Sequence, residues 1–393
     1  MAVLHFIFDV PNLKSFDYRL PNPGVGGTWY ACLEIMQRLA ARHKVYWHSA
    51  SDLALEGVEK VSRGQRQELF GASDLVIYPV SALREGMLAL PGRHMPWLHN
   101  LNDPRLDDVY RRAERIVVVS SQHYDALRWH RAAKKMYVIQ NPFDASMYQY
   151  QGASEDYMVY LGALTAGKGF HHYAEALDDV LEGLQTKLYV IGGSMTHGIA
   201  PSGGLGVAEC GYENRFFPPI RRLVEDKRII FRGNMGLERL PLIAGAKLAL
   251  INPTGRTETY GYSGLECMAC GVPVAGGYHY GLIETLFEDE DLKLHSVADI
   301  KPKLVRLLRN PERLAALRPQ VRSYSEQMSN IDRVLDRWER AFAGTIEKQG
   351  LLSKRYFVDH KIPKLLIDLG HLNFEFRHID RIRKLGRGGP KAG

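Results

Sequence analysis

Residues 253–277 read PTGRTETYGYSGLECMACGVPVAGG. The segment follows the apolar run LALIN (248–252), crosses a loop rich in glycine and threonine, and enters a small-residue stretch with the character of a buried helix. It leaves through VPVAGG (272–277), a second short apolar run. Strand, loop, helix and strand in so few residues form the repeating unit of a parallel α/β sheet. A helix beginning near Ser263 turns its unpaired N–H groups toward the loop, and Gly261 permits close backbone approach, so the segment can hold an anion. Glu266 is expected in the first turn of that helix, where the dipole favours a carboxylate. An ionised carboxylate accepts two hydrogen bonds, which suits the vicinal hydroxyls of a ribose. Glu258, on the loop, is placed to meet a second polyol. Two solvated glutamates at a helix entry would read the same way.

The same alternation extends outward from this unit. Short apolar runs lie at 3–10, 43–48, 74–80, 115–120 and 136–141, and again at 157–162, 187–193, 228–233, 248–252 and 272–277. Most lack polar alternation, as parallel strands covered on both faces should. Helical periodicity fills the gaps, for example GGTWYACLEIMQRLAAR (26–42). A polar, turn-rich stretch at 141–157 separates the two series. The expected fold class is therefore α/β, with two doubly wound parallel sheets facing each other across a cleft. Expected boundaries are 1–150 for the first domain, 151–330 for the second, a helix at 331–350 returning toward the first, and a tail at 351–393. The chain has 393 residues, more than the roughly 250–300 that one core supports.

Composition narrows the class. With 45% hydrophobic and 24% charged residues, the chain has the make-up of a soluble globular protein. It contains no run of about 18 apolar residues of the kind that spans a bilayer. The start, MAVLHFIFDVPNLK, lacks a basic segment before its apolar stretch and reads as a first strand, not a signal peptide. Four Cys make no disulfide framework, which fits a reducing cytoplasm. The net charge is +7, and residues 351–393 hold ten Lys or Arg against four Asp or Glu, so the body is nearly neutral. A basic tail mixed with Leu, Ile, Phe and Tyr suits an anionic surface, although a solvated appendage has the same composition.

Here the segment resembles a known family. Glu258, seven intervening residues, Glu266 and then CMACGVPV are similar to the donor-site signature of retaining GT-B glycosyltransferases of the group 1 type. PGVGGTWYACLEIMQRLA (23–40) resembles that family's glycine loop and helix, and YLGALTAGKGFHHYAEAL (160–177) its lysine segment. IIFRGNMGLERLPLIAGAKLALINP (229–253) resembles the nucleotide pocket and puts Asn234 beside the donor. The resemblance implies that Glu258 adjoins the donor sugar and that Glu266 grips the ribose. It implies that Tyr260, Gly261, Tyr262 and Ser263 meet the diphosphate and sugar, with Lys168 on the diphosphate and Gly27 closing over it. His99, in WLHNLNDP (97–104), falls where the family often has a histidine near the reacting sugar. Ala163 stands where an arginine is usual, and Arg256 is the expected substitute.

The implied activity is transfer of a hexosyl group from a UDP- or GDP-linked sugar, with retention and without metal or cofactor. The 193–219 segment resembles an insertion of surface-polysaccharide and O-antigen enzymes. It hints at the pathway, and the aromatics and leucines that accompany the tail's charges point to a lipid-linked saccharide or lipopolysaccharide acceptor and to peripheral placement at the inner face of the cytoplasmic membrane. The alternatives are a nucleic-acid-modifying glycosyltransferase that uses the tail, and a nucleotide-sugar epimerase on the same fold. Cys267 and Cys270 have CxxC spacing without a second pair, so they are read as structural thiols. His171 and His172 likewise lack a matched ligand set.

Overall fold

The computed structural model of the chain describes residues 1–10, 13–62, 67–101, 103–194 and 199–348. Its apolar runs form two wholly parallel sheets. The first holds β1 (Val3–Ile7), β2 (Lys44–His48), β3 (Glu59–Val61), β4 (Leu75–Pro79), β5 (Arg93–Leu98), β6 (Ile116–Val118) and β7 (Met136–Val138), in the order β3-β2-β1-β4-β5-β6-β7. The second holds β8 (Tyr157–Leu161), β9 (Lys187–Ile191), β10 (Ile229–Gly233), β11 (Leu248–Leu250), β12 (Val274–Gly277) and β13 (Lys293–Leu294), in the order β10-β9-β8-β11-β12-β13. Each chain path runs outward for three strands and then returns to the other flank of its first strand. The direction reverses between β1 and β4 and between β8 and β11, which is where open α/β sheets leave a crevice for ligands.

Helices make most of the crossovers. In the first half these are α1 (Gly27–Leu39), α2 (Leu106–Arg112) and α3 (Ser121–Leu127). In the second they are α4 (Phe170–Leu181), α5 (Glu213–Glu225), α6 (Arg239–Ala244), α7 (Tyr262–Ala269) and α8 (Leu282–Thr285), followed by α9 (Ile300–Leu308) and α10 (Pro311–Gln327). One apolar cluster runs through both sheets, from Phe6, Trp47 and Trp97 to Val159, Ala249 and the α7 residues Leu265 and Met268. Cys267 and Cys270 belong to this cluster. Burial pushes the Cys267 thiol well up and the Cys270 thiol to about 12, so both stay protonated.

The last described helix, α11 (Ile331–Ala343), buries Val334, Leu335, Trp338, Ala341 and Phe342, one stripe of a helix. That stripe packs on the first sheet, with the Trp338 ring 4.9 Å from that of Trp97. Asn330, just before α11, clamps the chain where it passes from one sheet to the other. Its side chain accepts from the Phe143 N–H (2.9 Å) and donates to the Asn141 carbonyl (3.1 Å). No helix among the described residues is long and apolar enough to cross a membrane. The basic tail at 351–393 lies outside the described residues.

Three strands go unnoticed in the sequence. β5, RHMPWL, contains His94 and Pro96, which argue against an interior strand. It is tolerated because β5 pairs with β4 from Arg93 to Trp97, while its ladder to β6 starts only at Trp97, past the proline. β3 and β13 are sheet edges of three and two residues, too short to show a pattern.

Candidate active site

A cleft of about 360 Å³ opens between the carboxyl ends of the two sheets, at both reversal points. The first half supplies Asn22, the start of α1 at Gly27 and Thr28, and His99 from the loop after β5. The second supplies Ala163 and Lys168 from the loop after β8, Asn234 and Arg239 from beyond β10, and the 257–266 segment. Thus Glu258, His99, Lys168, Gly27, Asn234, Tyr260, Tyr262, Ser263 and Glu266 all line one cleft. Arg256 and Gly261 do not.

Glu258 is held by its own loop. Asn252, just after β11, accepts from the N–H groups of Thr254 (3.0 Å) and Gly255 (3.1 Å), an asparagine-nucleated turn. The same side chain donates to Glu258 Oε1 at 3.2 Å. Lys168 Nζ approaches that oxygen at 2.7 Å, so the lysine expected on a diphosphate rests on the glutamate expected beside the sugar. Both side chains keep some contact with solvent, 19% for Lys168 and 12% for Glu258.

Glu266 differs from its expected setting. α7 begins at Tyr262, which puts Glu266 in the second turn, and the first turn carries no acidic residue. A side-chain partner replaces the helix dipole as its counter-charge. Arg239 donates to Oε2 at 2.9 Å and Asn22 to Oε1 at 3.0 Å, with the guanidinium 3% and the carboxylate 4% exposed. Burial by itself would lower the Arg239 pKa, but the adjoining Glu266 carboxylate more than offsets this and the net shift is upward. Each Glu266 oxygen retains acceptor capacity toward the cleft. Sequence reading missed Asn22 and Arg239. A basic residue at the start of the helix after β10, in a segment already assigned to the nucleotide pocket, was the available signal for Arg239.

His99 sits on the opposite wall. Burial, aided by the nearby His123 imidazole, lowers its pKa to about 3, so the ring is neutral. Its Nε2 is buried without a hydrogen-bond partner. The ring lies against Trp97 at 4.8 Å, and the His99 carbonyl accepts from Thr259 Oγ1 at 2.6 Å. That bond ties the histidine loop to the residue next to Glu258, so both walls share one anchor.

Tyr260 and Tyr262 line the cleft mainly as buried rings. Tyr262 donates to the Pro142 carbonyl at 2.8 Å and packs edge-on against Tyr30 of α1. Gly27 leaves room for it, since a Cβ there would meet the Tyr262 ring at 2.8 Å. The Cβ that Gly261 lacks would fall 2.5 Å from both Leu282 and Thr285 of α8. Close packing of α7 on α8 is what requires this glycine. Ser263 marks the first turn of α7 at the cleft wall and Asn234 lies at its exposed rim. Arg256 is exposed, and its charge bears on His172. Arg239, already paired with Glu266, lines the same cleft as Ala163. Among the described residues, no three His, Cys, Asp or Glu are grouped as a metal would need.

Residues 151–324 match the family "Glycosyl transferases group 1". No curated protein sequence matches the chain. Among solved structures, the Anabaena HepE complex with UDP-glucose superposes with a TM-score of 0.66 at 16% identity, covering 88% of this chain and 100% of that one. Sucrose-phosphate synthase from Thermosynechococcus elongatus gives 0.65 at 16% identity over 88% and 99%. A glycosyltransferase from Rickettsia africae gives 0.62 at 12% identity over 88% and 99%. At such identities the likeness establishes the two-sheet GT-B fold.

Proposed function

We propose that this chain of the GT-B fold is a glycosyltransferase that transfers a hexosyl group from a UDP-sugar with retention of anomeric configuration. The observation that carries this reading is the convergence of two carboxylate–cation pairs, Glu266–Arg239 and Glu258–Lys168, in one interdomain cleft. The deep pair suits a ribose, because Glu266 is fixed opposite a buried guanidinium. The outer pair suits the reacting end, because Lys168 can turn from Glu258 to a diphosphate oxygen when the donor enters.

As the glycosidic bond breaks, negative charge grows on the β-phosphate and positive charge on the sugar. Lys168 stabilises the first, helped by the N-terminal turn of α7. Glu258, released from Lys168, orients the sugar hydroxyls. The departing phosphate oxygen takes the proton from the acceptor hydroxyl on the same face, which gives retention. Neutral His99 directs its unpartnered Nε2 to a sugar or acceptor hydroxyl without adding charge. UDP is favoured as the nucleotide because the structurally similar HepE is complexed with UDP-glucose.

The acceptor in this reading is a lipid-linked saccharide or lipopolysaccharide of surface-polysaccharide synthesis, reached at the inner membrane face with help from the basic tail. Thermal-shift screening of UDP-, GDP-, ADP- and TDP-sugars tests the donor, since a ligand bound to the native state raises its stability. NMR of the product then reads the anomeric configuration. An inverted product defeats retention, and epimerised nucleotide sugar without transfer defeats the transferase mechanism. Transfer to DNA in preference to a lipid-linked acceptor defeats the acceptor reading.

A further inference from the structure

The cleft leaves one surface of the first half unexplained. From the end of α3 through β7 the chain reads ALRWHRAAKKMYVIQNPF (126–143), with no acidic residue and with Arg128, Arg131, Lys134 and Lys135 close together. Trp129 in this stretch is 87% exposed, whereas Trp47, Trp97 and Trp338 are fully buried. A tryptophan presents on the order of 150–250 Å² of largely apolar surface, so most of that is left in water here. The Arg128 guanidinium lies 4.9 Å from the indole centroid.

The patch has a firm base. Lys135 Nζ donates to the carbonyls of Tyr110 (3.0 Å) and Ala113 (2.6 Å), and Arg131 Nε to Asp107 (2.8 Å), which bind the 131–135 turn to α2. On the far side of α2 lies a groove of about 610 Å³, walled by Arg84, Arg105, Arg111 and Arg112 with Leu83 and Leu88. Across groove and turn, eight Lys or Arg stand against five Asp or Glu, counting Asp9 and Asp103, which pair with Arg84 and Arg105.

We propose that this face of the N-terminal half docks on an anionic lipid bilayer. Trp129 enters the headgroup–acyl boundary, and Arg128, Arg131 and Lys134 meet lipid phosphates. An indole projecting from a cationic field is the arrangement that an interface, apolar on one side and anionic on the other, selects. Single-stranded nucleic acid needs successive rings free for stacking. The next ring here, Tyr110, is covered by Arg131 (5.5 Å) and Lys135 (4.9 Å). The proposal rests neither on the acceptor reading nor on the 351–393 tail.

The chain's tryptophans allow the two contacts to be told apart, because residues 351–393 contain none. The full-length protein is mixed with vesicles of phosphatidylcholine and phosphatidylglycerol in equal parts, with bromine on the acyl chains. Docking as proposed shifts the emission blue and quenches it, and W129F abolishes both responses while weakening vesicle binding about tenfold. R131Q and K134Q each weaken it roughly fivefold, and donor binding persists in all three variants. Vesicle binding with no quenching, equal in W129F and the parent, would make the tail the contact and overturn the proposal. So would DNA retention sensitive to the same substitutions without vesicle affinity, or absence of binding to either.

Discussion

Glu266 with Arg239 and Glu258 with Lys168 are both carboxylate–cation pairs on the donor side of the cleft, yet their surroundings separate them. The first pair is nearly sealed and joined across the molecule by Asn22, 244 positions away from Glu266 in sequence. The second is local to two neighbouring loops and partly wet. Desolvated charges must stay paired, so the Glu266 site is preset and part of what holds the halves together. A pair that still meets water can be broken and remade at modest cost, so Lys168 is able to exchange one anion for another. On the proposed function, the fixed pair serves nucleotide binding and the exchangeable one the breaking of the sugar bond.

The largest effect is expected where the sealed pair is broken. Glu266→Ala leaves the Arg239 guanidinium buried alone and should cost about 3–5 kcal/mol of stability, together with loss of nucleotide affinity. Denaturant unfolding and nucleotide titration check this against Glu258→Ala. Equal stability of the two variants would erase the distinction between the pairs.

Lys168→Ala tests the exchangeable pair from the other side. Turnover should fall by roughly 10²–10³, the effect of removing one donor from developing charge. Stability should change by less than about 1 kcal/mol, as for an accessible ion pair. Steady-state kinetics alongside thermal unfolding separates the two. A variant that unfolds early but turns over normally would assign Lys168 a structural role.

Acid should act mainly through neutral histidines. Burial lowers the folded pKa of His99 to about 3 and those of His123 and His171 to about 4, from the ordinary imidazole value of 6.5. Between pH 6.5 and about 4 the unfolded chain therefore binds more protons at these positions, and their contribution to stability falls as pH falls. Glu34 opposes them. Burial raises its pKa to about 7, so it favours the folded state at lower pH. Three groups outweigh one, and the unfolding midpoint should drop on acidification from pH 6.5 to 4, by less in His99→Asn. An acid-insensitive midpoint would argue that these rings are not held neutral.

The smallest change is expected at Arg256. Its side chain is exposed and does not line the cleft, so Arg256→Ala should alter turnover by no more than about twofold, within the range of surface substitutions. A hundredfold loss would mean that the loop swings Arg256 into the cleft when donor binds.

Much of the molecule was legible because burial writes directly into sequence. Continuous apolar runs announced the parallel strands, and the 253–277 segment announced a strand–loop–helix unit with two carboxylates. β5 escaped because its compatibility with Pro96 depends on where β6 begins pairing, which is a property of the partner strand. What lies around Gly261 was hidden for a related reason. A glycine beside a helix start suits an anion, but only the position of α8 shows that Leu282 and Thr285 claim the space.

By itself, then, the sequence determined the fold class and singled out Glu258, Glu266, Lys168 and His99 as polar groups that line one cleft, since side-chain type and local periodicity are intrinsic to the chain. The partners of those groups were decided only by tertiary structure. Arg239 lies 27 residues from Glu266 and Lys168 lies 90 from Glu258, and no local pattern encodes such distances. Folding brings them together because the parallel topology gathers the carboxyl ends of its strands along one edge. Burial at that edge then fixes which charges stay locked in pairs and which remain open to exchange.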